Sequence, residues 1–174
     1  VLEPSQDGAA KVARKGCGTF EIRFRGRAAH AGLEPQKGAS ALAEMARFVL
    51  FLESLAEPAG GTTLTASVAR AGGATNVVPE AAELMVDARA WTLAEAERVT
   101  EAIRGYRPFD SGVSLSVESG FDRLPLEPTV ASDALFDTTR RLAGDLGLEL
   151  GAARVGGASD GNLTAAAGIP TLDG

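Results

Sequence analysis

Across 174 residues the sequence has one cysteine, one histidine, one tryptophan and one tyrosine. A single cysteine, Cys17, excludes an intrachain disulfide. A single histidine, His30, limits any metal site or catalytic triad that this chain could build alone. No apolar run approaches the roughly 18–20 residues of a membrane-spanning helix, so none is expected. No basic-then-apolar leader is visible, so no secretory signal is expected and the cytoplasm is the default compartment. Basic charge is also in deficit: 17 Lys and Arg stand against 23 Asp and Glu, a formal charge of −6. Nucleic acid and anionic membrane both call for a basic surface, so neither is an expected partner.

What is present is ordinary for a globular protein, with 45% apolar and 23% charged residues. The length suggests one domain, or one domain and a piece of another. Val1-Leu2 ahead of Glu3-Pro4, and Ile169 to Leu172 near the other end, read as core-type strand segments. The chain is therefore expected to be a fragment of a longer one.

Residues 5–17 are small and polar and read as a linker. From Thr19 to Arg25, Phe20, Ile22 and Phe24 alternate with Glu21, Arg23 and Arg25, the period of a half-buried strand. Ala39 to Leu55 has helical spacing with two adjacent apolar stripes, Leu42, Met45, Val49 and Leu52, then Phe48, Phe51 and Leu55. One stripe suffices for a surface helix, so two suggest burial on two sides. Leu64, Ala66 and Val68 alternate as a second strand, and Leu84, Val86 and Ala88 mark a third over Ala82 to Trp91. Thr92 with Glu95 is a capping-box signature, followed by a narrow stripe of Leu93, Ala96, Val99 and Ile103. Val113, Leu115 and Val117 alternate as a fourth strand.

This order is β-α-β-β-α-β, the split βαβ or ferredoxin-like arrangement: an α+β fold with a four-stranded antiparallel sheet and two helices on one face. The remainder reads as α/β: a helix capped by Ser132, a short strand at Ala152–Val155, a small helix from about Asp160 and a strand at Ile169–Leu172. The expected boundaries are 1–17 for an incoming segment, 18–122 for the ferredoxin-like domain and 123–174 for a returning segment.

Several residues are candidates for chemistry. Gly157-Ala158-Ser159-Asp160-Gly161 fits the G-x-S-x-G nucleophile elbow. A serine nucleophile needs a histidine base, and none follows Ser159, so that reading requires a histidine from elsewhere. The plainer reading is a glycine turn entering a helix whose free N–H groups favour an anion. Cys17 and His30 sit at opposite ends of a strand and are not expected to pair. Gly16-Cys17-Gly18 is followed by no helix, so it is no phosphate loop. His30, within Ala28-Ala29-His30-Ala31-Gly32, lies in a loop of small residues and is free to reach outward. Asn76 precedes a strand, where an amide is commonly a turn former. Arg89 lies near a strand end and Arg123 follows the fourth strand.

In combination these segments resemble the M20 family of metallopeptidases and amidohydrolases, the group of carboxypeptidase G2-like enzymes, acetylornithine deacetylase and succinyl-diaminopimelate desuccinylase. The resemblance rests on Leu2-Glu3-Pro4, Gly18-Thr19-Phe20, Ala29-His30-Ala31-Gly32, Thr75-Asn76-Val77-Val78-Pro79, Asp87-Ala88-Arg89 and Gly156-Gly157-Ala158-Ser159-Asp160. It covers nearly the whole chain. It implies a ferredoxin-like lid and dimerisation domain inserted in a zinc-binding catalytic domain, with remnants of the latter on both flanks and a homodimer formed through the lid. It further implies that Glu3 matches a carboxylate zinc ligand and that His30 matches a histidine reaching into the partner's active site to stabilise the oxyanion. Asn76, Arg89 and, with a shift of about one residue, Arg123 match positions that hold a substrate carboxylate or the lid geometry. Gly157 and Ser159 fall in a substrate-lining loop. The other ligands of the family's two-zinc site and its Glu base have no counterpart here, so the fragment is expected to bind no zinc tightly and to be inactive alone. The parent would be a zinc-dependent hydrolase of a small carboxylate-bearing amide or peptide. The alternative is a stand-alone ferredoxin-like ligand-binding or interaction module without catalysis, since fold does not fix function.

Overall fold

Alternating apolar residues give the strands one buried face, and the helices each bury one stripe on it. The computed structural model of the chain describes residues 3–174. Val1-Leu2, read above as part of a strand, lie outside the described residues. The elements in chain order are β1 (Ala10–Arg14), β2 (Gly16–Arg25), α1 (Ala41–Leu55), β3 (Thr63–Ala71), β4 (Ala81–Ala90), α2 (Leu93–Gly105), β5 (Ser114–Arg123), α3 (Val130–Asp145), β6 (Ala152–Val155) and α4 (Asp160–Ala166). The chain packs as two units, one of residues 18–88 and 98–120, the other of residues 1–17, 89–97 and 121–174.

The first unit carries the expected β-α-β-β-α-β order, with strand order β3-β4-β2-β5 in an antiparallel sheet. Phe20, Ile22 and Phe24 of β2 and Leu84, Val86 and Ala88 of β4 are buried. Against them lie Met45, Phe48 and Leu52 of α1 and Val99 and Ile103 of α2, also buried. Each fully buried large side chain here contributes about 1.5–3 kcal/mol of transfer free energy. Phe48 meets Phe24 edge-on at 5.7 Å and Tyr106 at 4.8 Å between ring centroids. Ser40 caps α1, its hydroxyl accepting the Ala43 N–H.

Two elements of this unit leave apolar surface open. On α1, Met45, Phe48 and Leu52 are buried and Val49, Phe51 and Leu55 half-buried, whereas Leu42 is 42% exposed and Leu50, outside both stripes, 65%. The strand β3 stands at the sheet edge; Ala66 and Val68 are exposed, and within the strand only Thr63 and Leu64 are half-buried.

The second unit is built around β1 and β6, which pair in parallel with Ala10 opposite Ala152 and Arg14 opposite Val155. Residues 5–17 thus include a strand where the sequence reads as a linker. Small Ala10 and Ala13 and the polar Lys11 and Arg14 hide the apolar signal, yet all four are buried. Helix α3 begins earlier than expected. Its N-cap is Thr129, and Ser132 stands at N3, completing a reciprocal capping box. Val130 is 90% exposed, which obscured the start of the apolar period. Ile169–Leu172 forms no ladder; a single bridge, Lys11 to Asp173, follows it. Thr92 does accept the Glu95 N–H at the start of α2.

Candidate functional site

In the first unit the loop that presents His30 is closed at its base by backbone. Gly26 N–H donates to Glu80 O (2.8 Å), and Arg27 and Ala39 exchange N–H···O bonds of 3.0 and 2.9 Å. Only glycine fits at this crossing, since a Cβ on Gly26 would lie 2.0 Å from Ala39 O. The loop is then tied to the segment carrying Asn76. Ala31 N–H donates to Asn76 O and Val78 N–H to Ala29 O, both at 2.9 Å, and His30 bridges Val77. The structure therefore brings His30 and Asn76, 46 positions apart in sequence, onto adjacent, mutually bonded loops. His30 is exposed, and its Nδ1 accepts the N–H groups of Gly32 and Leu33, each at 3.2 Å.

On α1 the same unit holds a buried carboxylate that the periodicity concealed. Glu44 accepts the Tyr106 hydroxyl (2.7 Å) and Phe109 N–H (2.9 Å) on Oε1, and Asp110 N–H (3.3 Å) and Arg47 (3.2 Å) on Oε2. Burial pushes this carboxyl up, but the four donors outweigh it and hold it below the ordinary glutamate range. The Tyr106 hydroxyl is pushed up to about 12, first by burial and then by the neighbouring carboxylate. Spacing alone gave no signal for this group, because a Glu one turn from the apolar stripe normally faces water.

In the second unit the Gly156–Asp160 turn is held from two sides. Arg89 donates to Gly156 O at 3.2 Å, and Arg14 donates to Gly157 O at 2.8 Å. Arg14 also pairs with Asp173 at 2.6 Å, with both side chains almost fully buried. Asp173 further accepts the Ser159 hydroxyl. Burial raises the Asp173 carboxyl, yet Ser159, Arg14 and the Gly174 N–H together hold it below the usual aspartate value. Ser159 is 7% exposed; its Oγ donates to Asp173 and accepts the Gly161 N–H, as the N-cap of α4. A hydroxyl so committed lacks the free approach and the base that an acyl-transfer nucleophile needs. Gly157 is exposed. Arg123 pairs with Asp160 at 3.0 Å, which raises its pKa and offsets its charge.

Three residues not singled out in the sequence meet in the same unit. Lys15 and Arg154 lie over the Trp91 ring at 5.4 and 4.8 Å from its centroid, a cation–π arrangement. Burial, then the Arg89 charge, lowers the Lys15 pKa. Their sequence separation gives no pattern to find. Glu3 is exposed, and among the described residues no group of three or more His, Cys, Asp or Glu could hold a metal. A zinc site takes three or four protein ligands, so Glu3 does not form one with the other described residues. Among the described residues no helix is long and apolar enough to cross a membrane.

Residues 12–107, more than half of the chain, match the family model of the M20 peptidase dimerisation domain. The chain belongs to the M20 family. It is 33% identical over 104 residues to a p-aminobenzoyl-glutamate hydrolase subunit homolog of Haemophilus influenzae, covering 59% of this chain and 24% of that protein. Carboxypeptidase G2 of a Pseudomonas species is 30% identical over 90 residues, covering 51% of this chain and 22% of the relative. Among solved structures, the aminopeptidase PepT of Bacillus cereus superposes with a TM-score of 0.78 at 25% identity, covering 95% of this chain and 45% of that one. The chain thus spans about a quarter of these curated M20 relatives and under half of the solved M20 structure. The family match falls largely on the unit that carries His30, Asn76 and the β3 edge.

Proposed function

We propose that this chain is the dimerisation and active-site lid portion of a zinc-dependent amide-bond hydrolase, with flanking segments of its catalytic domain. The observation that carries the reading is the nine-residue edge strand β3, exposed along nearly its whole length, beside an α1 that leaves Leu42 and Leu50 uncovered. An exposed strand edge offers unpaired N–H and C=O groups to a second chain, and the apolar helix face beside it adds area for burial. A homodimer through β3 and α1 would supply both. His30 and Asn76 then act in the partner's active site, His30 as an oxyanion donor, where one preorganised donor is worth roughly 3–4 kcal/mol. Zinc and its remaining ligands would come from the parent chain, with Glu3 contributing one carboxylate.

The substrate we propose is a small amide or peptide bearing a carboxylate, held by Arg89 with Arg123 and lined by the Gly157–Ser159 turn. The name of one relative, a p-aminobenzoyl-glutamate hydrolase subunit homolog, makes a glutamate conjugate the first substrate to try. The compartment proposed is the cytoplasm. The chain on its own is proposed to be inactive.

Sedimentation equilibrium over a wide concentration range tests dimerisation, with Val68→Lys as the edge-blocking variant. A dimer that Val68→Lys converts to monomer is expected; a concentration-independent monomer in the unaltered chain refutes the use given to β3. Assay of the chain against p-aminobenzoyl-glutamate with added zinc should give no turnover. Turnover that persists through purification and disappears with chelator would refute the inactivity.

A further inference from the structure

His30 is the only histidine in the chain, and its two ring nitrogens stand in different situations. Nδ1 faces two backbone donors, Gly32 N–H and Leu33 N–H, at 3.2 Å each. A backbone N–H can only donate, so the atom it meets must present a lone pair. A neutral imidazole has one donor and one acceptor nitrogen. With Nδ1 held as the acceptor, the proton resides on Nε2, which bonds to none of the described residues. The ring lies against Gly32, where a Cβ would sit 3.7 Å from Cε1, and its backbone is pinned through the Ala31 N–H to Asn76 O bond and the bridge to Val77. The ring is thus oriented by main chain on both sides, with no side chain required.

We propose that the Gly32 and Leu33 amides fix His30 as the Nε2–H tautomer, so that it meets substrate as a neutral hydrogen-bond donor to an oxygen atom and not as a proton acceptor. This rests on the reading of His30 as a residue that meets substrate, and it specifies the ligand atom: a carbonyl, carboxylate or developing oxyanion oxygen. Accepting a proton at Nε2 would require the ring's own proton to move to Nδ1, where it would confront two N–H groups. Losing both bonds biases the ring against that form by at least about tenfold. The same arrangement disfavours Nε2 as a metal ligand, since coordination needs that nitrogen's lone pair. Gly32 and Leu33 are positioning residues through their backbone.

The experiment is long-range 1H–15N correlation on the 15N-labelled chain, at a pH high enough to keep the ring neutral. The same chain unfolded in urea is the reference. Because there is one histidine, its ring signals need no assignment. The folded chain is expected to show an acceptor-type Nδ1 and a protonated Nε2, with the minor tautomer reduced at least about tenfold below its share in urea. Leu33→Pro, which deletes one amide, should shift the ring toward the urea values. If that variant fails to fold, His30→Ala should accelerate hydrogen exchange at the Gly32 and Leu33 amides. Ring shifts in the folded chain equal to those in urea, or a protonated Nδ1, overturn the proposal. The tautomer is read without turnover, so a full-length enzyme indifferent to His30→Ala, which removes the donor, would refute the oxyanion role under Proposed function while leaving the tautomer result intact.

Discussion

Glu44→Gln removes one charge from the interior of the His30-bearing unit and changes almost nothing else in size. The wild-type carboxylate offers only acceptors to four donors, and its side chain has no solvent exposure. Glutamine can keep the oxygen that receives Tyr106 and Phe109, but its NH2 then points at the Asp110 N–H and the Arg47 guanidinium. Two charge-assisted bonds become donor–donor contacts. Bonds to charged groups contribute about 1.5–3 kcal/mol each. The two at issue are the long ones, at 3.3 and 3.2 Å, so the expected loss is about 2–4 kcal/mol. Urea unfolding at neutral pH measures it.

The mechanism has a second, independent readout. Tyr106 is the only tyrosine, so ultraviolet titration reports it alone. Its pKa of about 12 should fall in the variant, though not fully to 10, because burial, the larger cause, persists. The pH dependence of stability has two arms with opposite sign. The Glu44 carboxyl is depressed in the folded state, so its contribution is present above the ordinary 4.5 and lost as pH falls through the folded value. The Tyr106 pKa is raised, so its contribution, roughly 2–3 kcal/mol, is complete below 10 and lost as pH rises toward 12. Glu44→Gln should therefore flatten the acid arm and shorten the alkaline one. A variant within about 0.5 kcal/mol of wild type and an unmoved Tyr106 titration would refute the claim that this carboxylate anchors the loop after α2.

Gly26→Ala should cost about 1–3 kcal/mol, the usual range for overpacking, because its Cβ would meet Ala39 O at 2.0 Å; faster amide exchange at Arg27 and Ala39 would show the His30 loop opening, and unchanged exchange would refute it. Asp173→Asn should destabilise the second unit by about 3–5 kcal/mol, since it leaves the buried Arg14 without its counter-charge. Trp91, the only tryptophan and in the same unit, reports that unfolding by fluorescence, and a loss below about 1 kcal/mol would refute the pairing as a stabilising element.

By itself the sequence determined the order β-α-β-β-α-β and the buried face of its central strands. Phe20, Ile22 and Phe24 carry a period of two that the chain geometry turns directly into one face. It also singled out His30 and Asn76, because small residues and a proline around them mark loops. Tertiary structure alone decided the rest. Strand β1 exists because β6, some 140 residues later, pairs with it; the short strand at Ala152–Val155 is legible in the sequence, but β1, built of small Ala10 and Ala13 and polar Lys11 and Arg14, is not apolar enough to announce itself. Arg14 and Asp173 are 159 positions apart, and Ser159 is committed between Asp173 and the start of α4. Glu44 reads as a surface residue until Tyr106 and the Phe109 and Asp110 amides are seen to converge on it. The alternation in β3 marks a strand, but its place at the sheet edge, paired on one side only, follows from the order in which the four strands assemble. The physical reason is common to all of these. Periodicity records what each residue does relative to its chain neighbours, whereas the burial of a charge or the pairing of an edge depends on groups brought from far along the chain.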